Sequence, residues 1–265
     1  MSSFEETTSP VAEFITRPDG ARIAYHVTPG KSPGVVFLTG FKSDMTGGKA
    51  VALERFCRAR GQAFVRFDYF GHGDSSGEFE AGTIGRWADD AVFVLDKLTT
   101  GPQVLVGSSM GGWIMLLAAL ARKPRVAGLV GIAAAPDFTE DLISSRLTEA
   151  QKADLARRGY CEVENCYDDQ EPYRIEKRLL DEGRDHLLLR GDIAIDVPVR
   201  LIQGMQDEDV PWRTALTLCD RLATDDVEVH FTKPGTHRLS EEPDLERLRR
   251  TVGGLLDRLE AQGVA

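Results

Sequence analysis

The segment Gly107-Ser108-Ser109-Met110-Gly111 constrains this chain more than any other. It reads G-x-S-x-G and joins an apolar, strand-like run, Val104-Leu105-Val106, to a helix-like run from Trp113 to Ala121. A turn that tight between a strand and a helix needs residues that accept unusual backbone angles or allow close approach, which glycine does. The expectation is a nucleophile elbow with the Ser109 hydroxyl at its tip. A helix N-terminus beside it offers free N–H groups and a partial positive charge to a developing anion.

An elbow of this kind needs a sheet, and the flanking sequence supplies one. Short β-rich runs alternate with amphipathic helical runs, the pattern of a mainly parallel sheet covered on both faces. Glu13–Arg17 and Arg22–Thr28 read as strands joined by the turn Pro18-Asp19-Gly20. Val35–Leu38, Ala63–Phe67, Gln103–Val106, Val126–Ile132, Val199–Ile202 and Val227–Phe231 read as further strands. Helices are expected over Ala50–Arg60, Ile84–Leu98, Trp113–Arg122, Thr214–Leu222 and Pro243–Leu259. Asp137–Asp196 breaks the rhythm, with charged helical pieces at Thr148–Arg158 and Ile175–Glu182 and no evident central strand. The expected fold class is therefore α/β: residues 1–136 and 197–265 form the core, and 137–196 form a small helical cap over the carboxyl edge of the sheet.

A serine hydroxyl is a weak nucleophile until a base takes its proton, and histidine is the usual base because it titrates near neutral pH. Of the five histidines, His26 and His230 fall inside strand patterns, His72 in the turn Gly71-His72-Gly73, and His186 in the cap. His237 follows the last strand in Pro234-Gly235-Thr236-His237, a loop on the same edge of the sheet as the elbow. Asp207 follows the strand Val199–Ile202 and is the expected acid, with Glu208 and Asp209 as neighbouring rivals. The tetrahedral intermediate needs an oxyanion hole. The backbone N–H groups of Met110 and of Phe41, in the loop Thr39-Gly40-Phe41 after a strand, are the expected donors. Phe41 and Met110 also read as ordinary packing residues, and both readings can hold because the donors are backbone. Met45 and Trp212 are candidates for the pocket wall, with core packing as the alternative.

Composition removes several function classes. The net charge is −10 over 265 residues with no basic stripe, so nucleic acid and anionic membranes are not expected partners. No apolar run is long enough to span a bilayer. The polar start, Met1–Pro10 with Glu5 and Glu6, has neither the apolar region of a signal peptide nor the Arg-rich character of a transit peptide, so a cytoplasmic protein is expected. The four cysteines, Cys57, Cys161, Cys166 and Cys219, do not form a disulfide framework and read as free thiols. No metal site is expected, and the chemistry requires no cofactor.

Taken together, these residues resemble the α/β-hydrolase superfamily over nearly the whole chain. Asp68-Tyr69-Phe70-Gly71-His72-Gly73-Asp74-Ser75-Ser76-Gly77 is similar to the family's loop after its fourth strand, and Asp207-Glu208-Asp209-Val210-Pro211 to its acid segment. Gly40–Ala50, Phe64–Tyr69 and Val106–Trp113 resemble, within it, the mitochondrial acyl-glucuronide esterase and palmitoyl-protein thioesterase type. The resemblance implies cleavage of acyl esters or thioesters, including depalmitoylation and acyl-glucuronide cleavage, with Ser109, Asp207 and His237 as the triad. The expectation is a bacterial relative of that type, acting on a small-molecule acyl ester or thioester or on an acylated protein. Two rivals remain at this stage: a peptidase or acyl-peptide hydrolase on the same scaffold, and a non-catalytic binding or scaffold protein.

Overall fold

A computed structural model describes residues 11–163 and 172–264. The chain begins with an antiparallel pair, β1 (Glu13–Thr16) and β2 (Arg22–Thr28), turned at Gly20. Then follow β3 (Lys31–Leu38), α1 (Gly48–Arg60), β4 (Gln62–Phe67), α2 (Ile84–Leu98), β5 (Gln103–Ser108), α3 (Met110–Ala121) and β6 (Val126–Ile132). After an excursion the sheet resumes with β9 (Val199–Gly204), α6 (Arg213–Arg221), β10 (Val227–Thr232) and α7 (Glu242–Ala261). The eight strands lie in the order β1-β2-β4-β3-β5-β6-β9-β10, with β10 at one border. Every pairing from β4 to β10 is parallel.

Alternation along the central strands explains how both faces are covered. Val36, Leu38 and Leu105 point into the apolar layer shared with α2, α3 and α6. Val35, Phe37, Val104 and Val106 point the other way, against α1 and α7. Successive residues facing opposite layers need apolar side chains at every position, so these strands read as unbroken hydrophobic runs. Helix α2 starts where Thr83 accepts from the Arg86 amide, and α1 stops at Gly61 with φ 70°.

Two consequences of the topology position a site. β4 and β5 lie on opposite sides of β3, and α1 and α3 pack on opposite faces, so the loops leaving β3 and β5 part company and open a crevice between them. β9 and β10 run in register, Gly204 beside Thr232, so the loops that follow them start at the same level.

The excursion between β6 and β9 holds a π-helical turn (Thr139–Ile143), α4 (Glu149–Arg158), a hairpin of β7 (Tyr160–Val163) and β8 (Tyr173–Glu176), and α5 (Lys177–Gly183). The hairpin corrects the expectation of helical pieces alone: Ile175 lies in a strand, not at a helix start. Thr148 and Gln151 cap α4 reciprocally. The excursion's two ends are tied together by Asp137, fully buried with φ 60°, whose carboxylate accepts from the Leu188 and Leu189 amides at 2.7 and 2.8 Å. Among the described cysteines, Cys57, Cys161 and Cys219 are free; Cys166 lies outside the described residues.

Candidate active site

Ser109 sits between β5 and α3 with φ 55° and ψ −121°, a conformation that a residue with a side chain adopts at a cost. The surrounding backbone enforces it. The Ser109 amide donates to Ile132 O at 2.9 Å, and its carbonyl accepts from Gly112 and Ala135 at 2.8 and 3.0 Å. The glycines of the elbow are required by close approach. A Cβ on Gly107 would stand 2.3 Å from Gly111 O, and one on Gly111 would stand 2.2 Å from Leu38 O.

The structure brings Ser109, His237 and Asp207 into one line. His237 Nε2 is 3.0 Å from Ser109 Oγ, and His237 Nδ1 is 2.9 Å from Asp207 Oδ2. A carboxylate accepts and does not donate, so Nδ1 carries the hydrogen and Nε2 presents its lone pair to the serine hydroxyl. Asp207 Oδ2 also accepts from Gln203 Nε2 at 3.0 Å, and Oδ1 from the Asp209 and Val210 amides at 3.0 and 2.8 Å. Glu208 and Asp209 make no such bond to His237 among the described contacts. Gln203, buried at the end of β9, thus orients the carboxylate that orients the imidazole. The sequence offered one signal for it, a polar residue directly after the apolar pair Leu201-Ile202.

The loop Gly40–Phe41 runs beside the serine: a Cβ on Gly40 would stand 3.4 Å from Ser109 Cβ. Met110 opens α3, so its N–H has no partner within the helix. Neither the Phe41 nor the Met110 amide donates to another described residue outside the helices and strands. The Phe41 ring packs edge-on against Phe79, Phe138 and Tyr173, with centroids 4.9, 5.6 and 5.9 Å away.

A cleft of about 860 Å³ opens over these groups. Its lining includes Gly40, Phe41, Lys42, Ser43 and Lys49, together with His237, Arg238 and Ser240. The excursion adds Phe138, Ile143, Leu147, Val163, Tyr173 and Ile175. Two pocket expectations need correction. Met45 is fully buried away from the cleft, because Asp68 accepts its amide at 2.6 Å and draws the loop inward. Burial pushes the Asp68 carboxyl up to about 6. Trp212 also lies off the cleft wall, edge-on to Phe231 at 5.6 Å with the Arg213 guanidinium over its ring. The sequence reading missed the hairpin residues and Lys49, which line the cleft. Lys49 did carry a signal: it is a cation in the first turn of α1, where the helix dipole opposes it.

The other histidines stand apart. His72 is buried among Tyr69, Phe79 and Trp87, and burial pulls its imidazole down to about 4. His186 bonds to Glu182 at 2.9 Å. Asp207, Asp209 and His237 form a group of metal-ligating type among the described residues, with ligand atoms within 4.8 Å of one another. Its Nδ1 and Asp207 oxygens already bond to each other and to the backbone.

The alpha/beta hydrolase family model matches residues 35–251. The bovine palmitoyl-protein thioesterase ABHD10, mitochondrial, is 41% identical over 246 residues, 93% of this chain and 80% of the bovine one. The structure of mouse alpha/beta hydrolase domain-containing protein 10 superposes with a TM-score of 0.88 at 39% identity, covering 94% of this chain and 100% of the mouse chain. Est1E from Butyrivibrio proteoclasticus, solved with ferulic acid, is 20% identical and shares the fold with a TM-score of 0.76, over 94% of this chain and 100% of its own.

Proposed function

This chain belongs to the alpha/beta hydrolase family, and on that premise we propose that its hydrolysis of acyl esters and thioesters runs through Ser109, His237 and Asp207, with acylated proteins as substrates. Ser109 Oγ attacks the acyl carbonyl while His237 Nε2 takes its proton. The negative charge that develops on the carbonyl oxygen is met by the Phe41 and Met110 amides. Asp207 holds the imidazole in the tautomer that accepts at Nε2 and stabilises the imidazolium once formed. As the tetrahedral intermediate collapses, the leaving thiol or alcohol departs with the proton from Nε2, and the acyl group stays on Ser109. Water then enters and gives a proton to Nε2 as its oxygen attacks the acyl carbon; the acyl–Oγ bond then breaks, Oγ takes the proton back from Nε2, and the acid leaves.

One observation carries this reading: the two hydrogen bonds, 3.0 and 2.9 Å, that align hydroxyl, imidazole and carboxylate at the floor of the cleft. The acylated-protein part is supported by the activity for which the 39–41% identical relatives are named, palmitoyl-protein thioesterase. It is also supported by an apolar wall suited to an acyl chain. We read residues 137–196 as a cap and 1–136 with 197–265 as the core, a division supported by the Asp137 bonds that close the excursion at its base. No helix of the described residues is long and apolar enough to cross a membrane. The buried free thiols Cys57 and Cys161 fit a reducing compartment, and the named relatives are mitochondrial.

The test is a turnover panel of S-acyl cysteine peptides, simple esters of graded chain length and matched amides. Thioesters and esters are expected to turn over and amides to lag far behind. Ser109→Ala should lower turnover by about 10³-fold or more and abolish labelling by a fluorophosphonate. A variant within tenfold of the parent would refute the nucleophile.

A further inference from the structure

The cleft lining is of two kinds. Ile143, Leu147, Val163, Tyr173 and Ile175 belong to, or pack against, one small apolar cluster. Ser43, Lys49, Arg238 and Ser240 also line the cleft and lie outside that cluster. The chain carries a net charge of −10, yet among the described residues the charged ones that line the cleft are Lys42, Lys49, Arg146 and Arg238 against Asp209. Among the described residues, cations thus outnumber carboxylates at the cleft.

These cations are not equivalent. The Lys42 ammonium lies 5.1 Å from the ring centroids of both Phe79 and Tyr173, on the apolar side. Lys49 is half-buried in the first turn of α1, against the helix dipole, and its ammonium donates to the carbonyl of Arg238. No carboxylate forms an ion pair with it among the described residues, and Asp244, which favours its charge, bonds to Arg247 at 2.8 Å. Burial pulls the Lys49 ammonium down to about 8; Asp244 partly offsets this and the Arg238 charge adds to it. A cation held in such surroundings gains more from an incoming carboxylate than a solvated surface lysine does.

Position supplies the direction. In the proposed mechanism His237 hands its proton to the leaving thiol, so the leaving group departs on the histidine side. Lys49 is bonded to the residue that follows His237, which places it on that side, while the acyl chain takes the apolar side. We propose that Lys49 selects acylated cysteines flanked by acidic residues. This rests on the reading that acylated proteins are substrates, and it names which of them the cleft favours.

The experiment uses the full chain and two S-acyl cysteine peptides with the same acyl group, one with Glu on each side of the cysteine and one with Gln. At low ionic strength the Glu peptide should be favoured by about tenfold in kcat/KM, and added salt should erode that ratio. In Lys49→Gln the ratio should fall below about threefold through a higher KM for the Glu peptide. Lys49→Arg should keep it. The ratio is internal to each variant, so a general loss of activity does not obscure it, and the wild-type comparison stands without any variant. Equal turnover of both peptides by the wild type overturns the inference and leaves the acylated-protein reading intact. A preference undiminished in Lys49→Gln overturns the role of that residue. Turnover of neither peptide, while a small ester is hydrolysed, overturns the acylated-protein reading and this inference together.

Discussion

The elbow at the floor of the cleft is fixed by backbone against backbone, and the apolar wall above it by side-chain packing. At the elbow, Gly107 and Gly111 bring β5, α3 and the end of β3 so close that a single Cβ would meet a carbonyl oxygen at 2.3 or 2.2 Å. Beside it, the outer part of the excursion rests on Leu155, Cys161, Ile175 and Leu180, with exposed ion pairs such as Lys152–Glu149 and Arg184–Glu140 around them. Pairs of that kind in water contribute little to stability. The excursion joins the core through Phe138, Leu179 and Leu189, which belong to the main apolar cluster, through Asp137 at its base, and through the bond from Trp113 Nε1 to His186 O at 3.1 Å. The contrast suits the division of labour: groups that make and break bonds need sub-ångström placement, whereas a wall that admits acyl chains can be assembled from adaptable apolar contacts.

The comparison can be broken most severely on the elbow side. Asp207→Asn should lower turnover by about 10⁴-fold with the fold intact, because the amide favours the wrong imidazole tautomer. Steady-state rates alongside circular dichroism would check both halves of that statement. Gly111→Ala should destabilise the protein by about 2–3 kcal/mol, since rigid backbone must yield to the new methyl group. Denaturant titration measures it, and an unchanged midpoint would mean that the elbow is more pliant than its contacts indicate. Ile175→Ala sharpens the other side of the contrast. It empties part of a small satellite cluster, so amide exchange should quicken in α4 and the hairpin while the sheet stays protected, and KM should rise for long acyl chains more than for short ones. The smallest effect belongs to Trp212→Ala, where short-ester turnover should stay within about twofold of the parent because the ring lies off the cleft.

Legibility in the sequence follows the same division. The central strands could be read because burial on both faces demands continuous apolar runs. The bounds of α2 could be read because an apolar stripe begins right after a capping Thr83. Ser109, Asp207 and His237 could be brought together on paper because each follows a parallel strand, and parallel strands deliver their loops to one edge. The β7–β8 hairpin escaped because four-residue strands carrying charged side chains, such as Tyr173-Arg174-Ile175-Glu176, leave too short an alternation to separate from helix. Met45 escaped for another reason. Its position is decided by Asp68, 23 residues away in sequence, and no local pattern encodes which loop a buried carboxylate will capture.

The location of β10 has a consequence for how this molecule fails on warming. Among the described residues the strand that leads to His237 is a border strand, paired with β9 alone, while the strand before Ser109 is hydrogen-bonded on both sides. Fraying at that border would swing the imidazole away while most of the molecule kept its spectroscopic signature. Lost turnover in a heated sample would then be a local thermometer, registering the melting of one flank before the collapse of the whole.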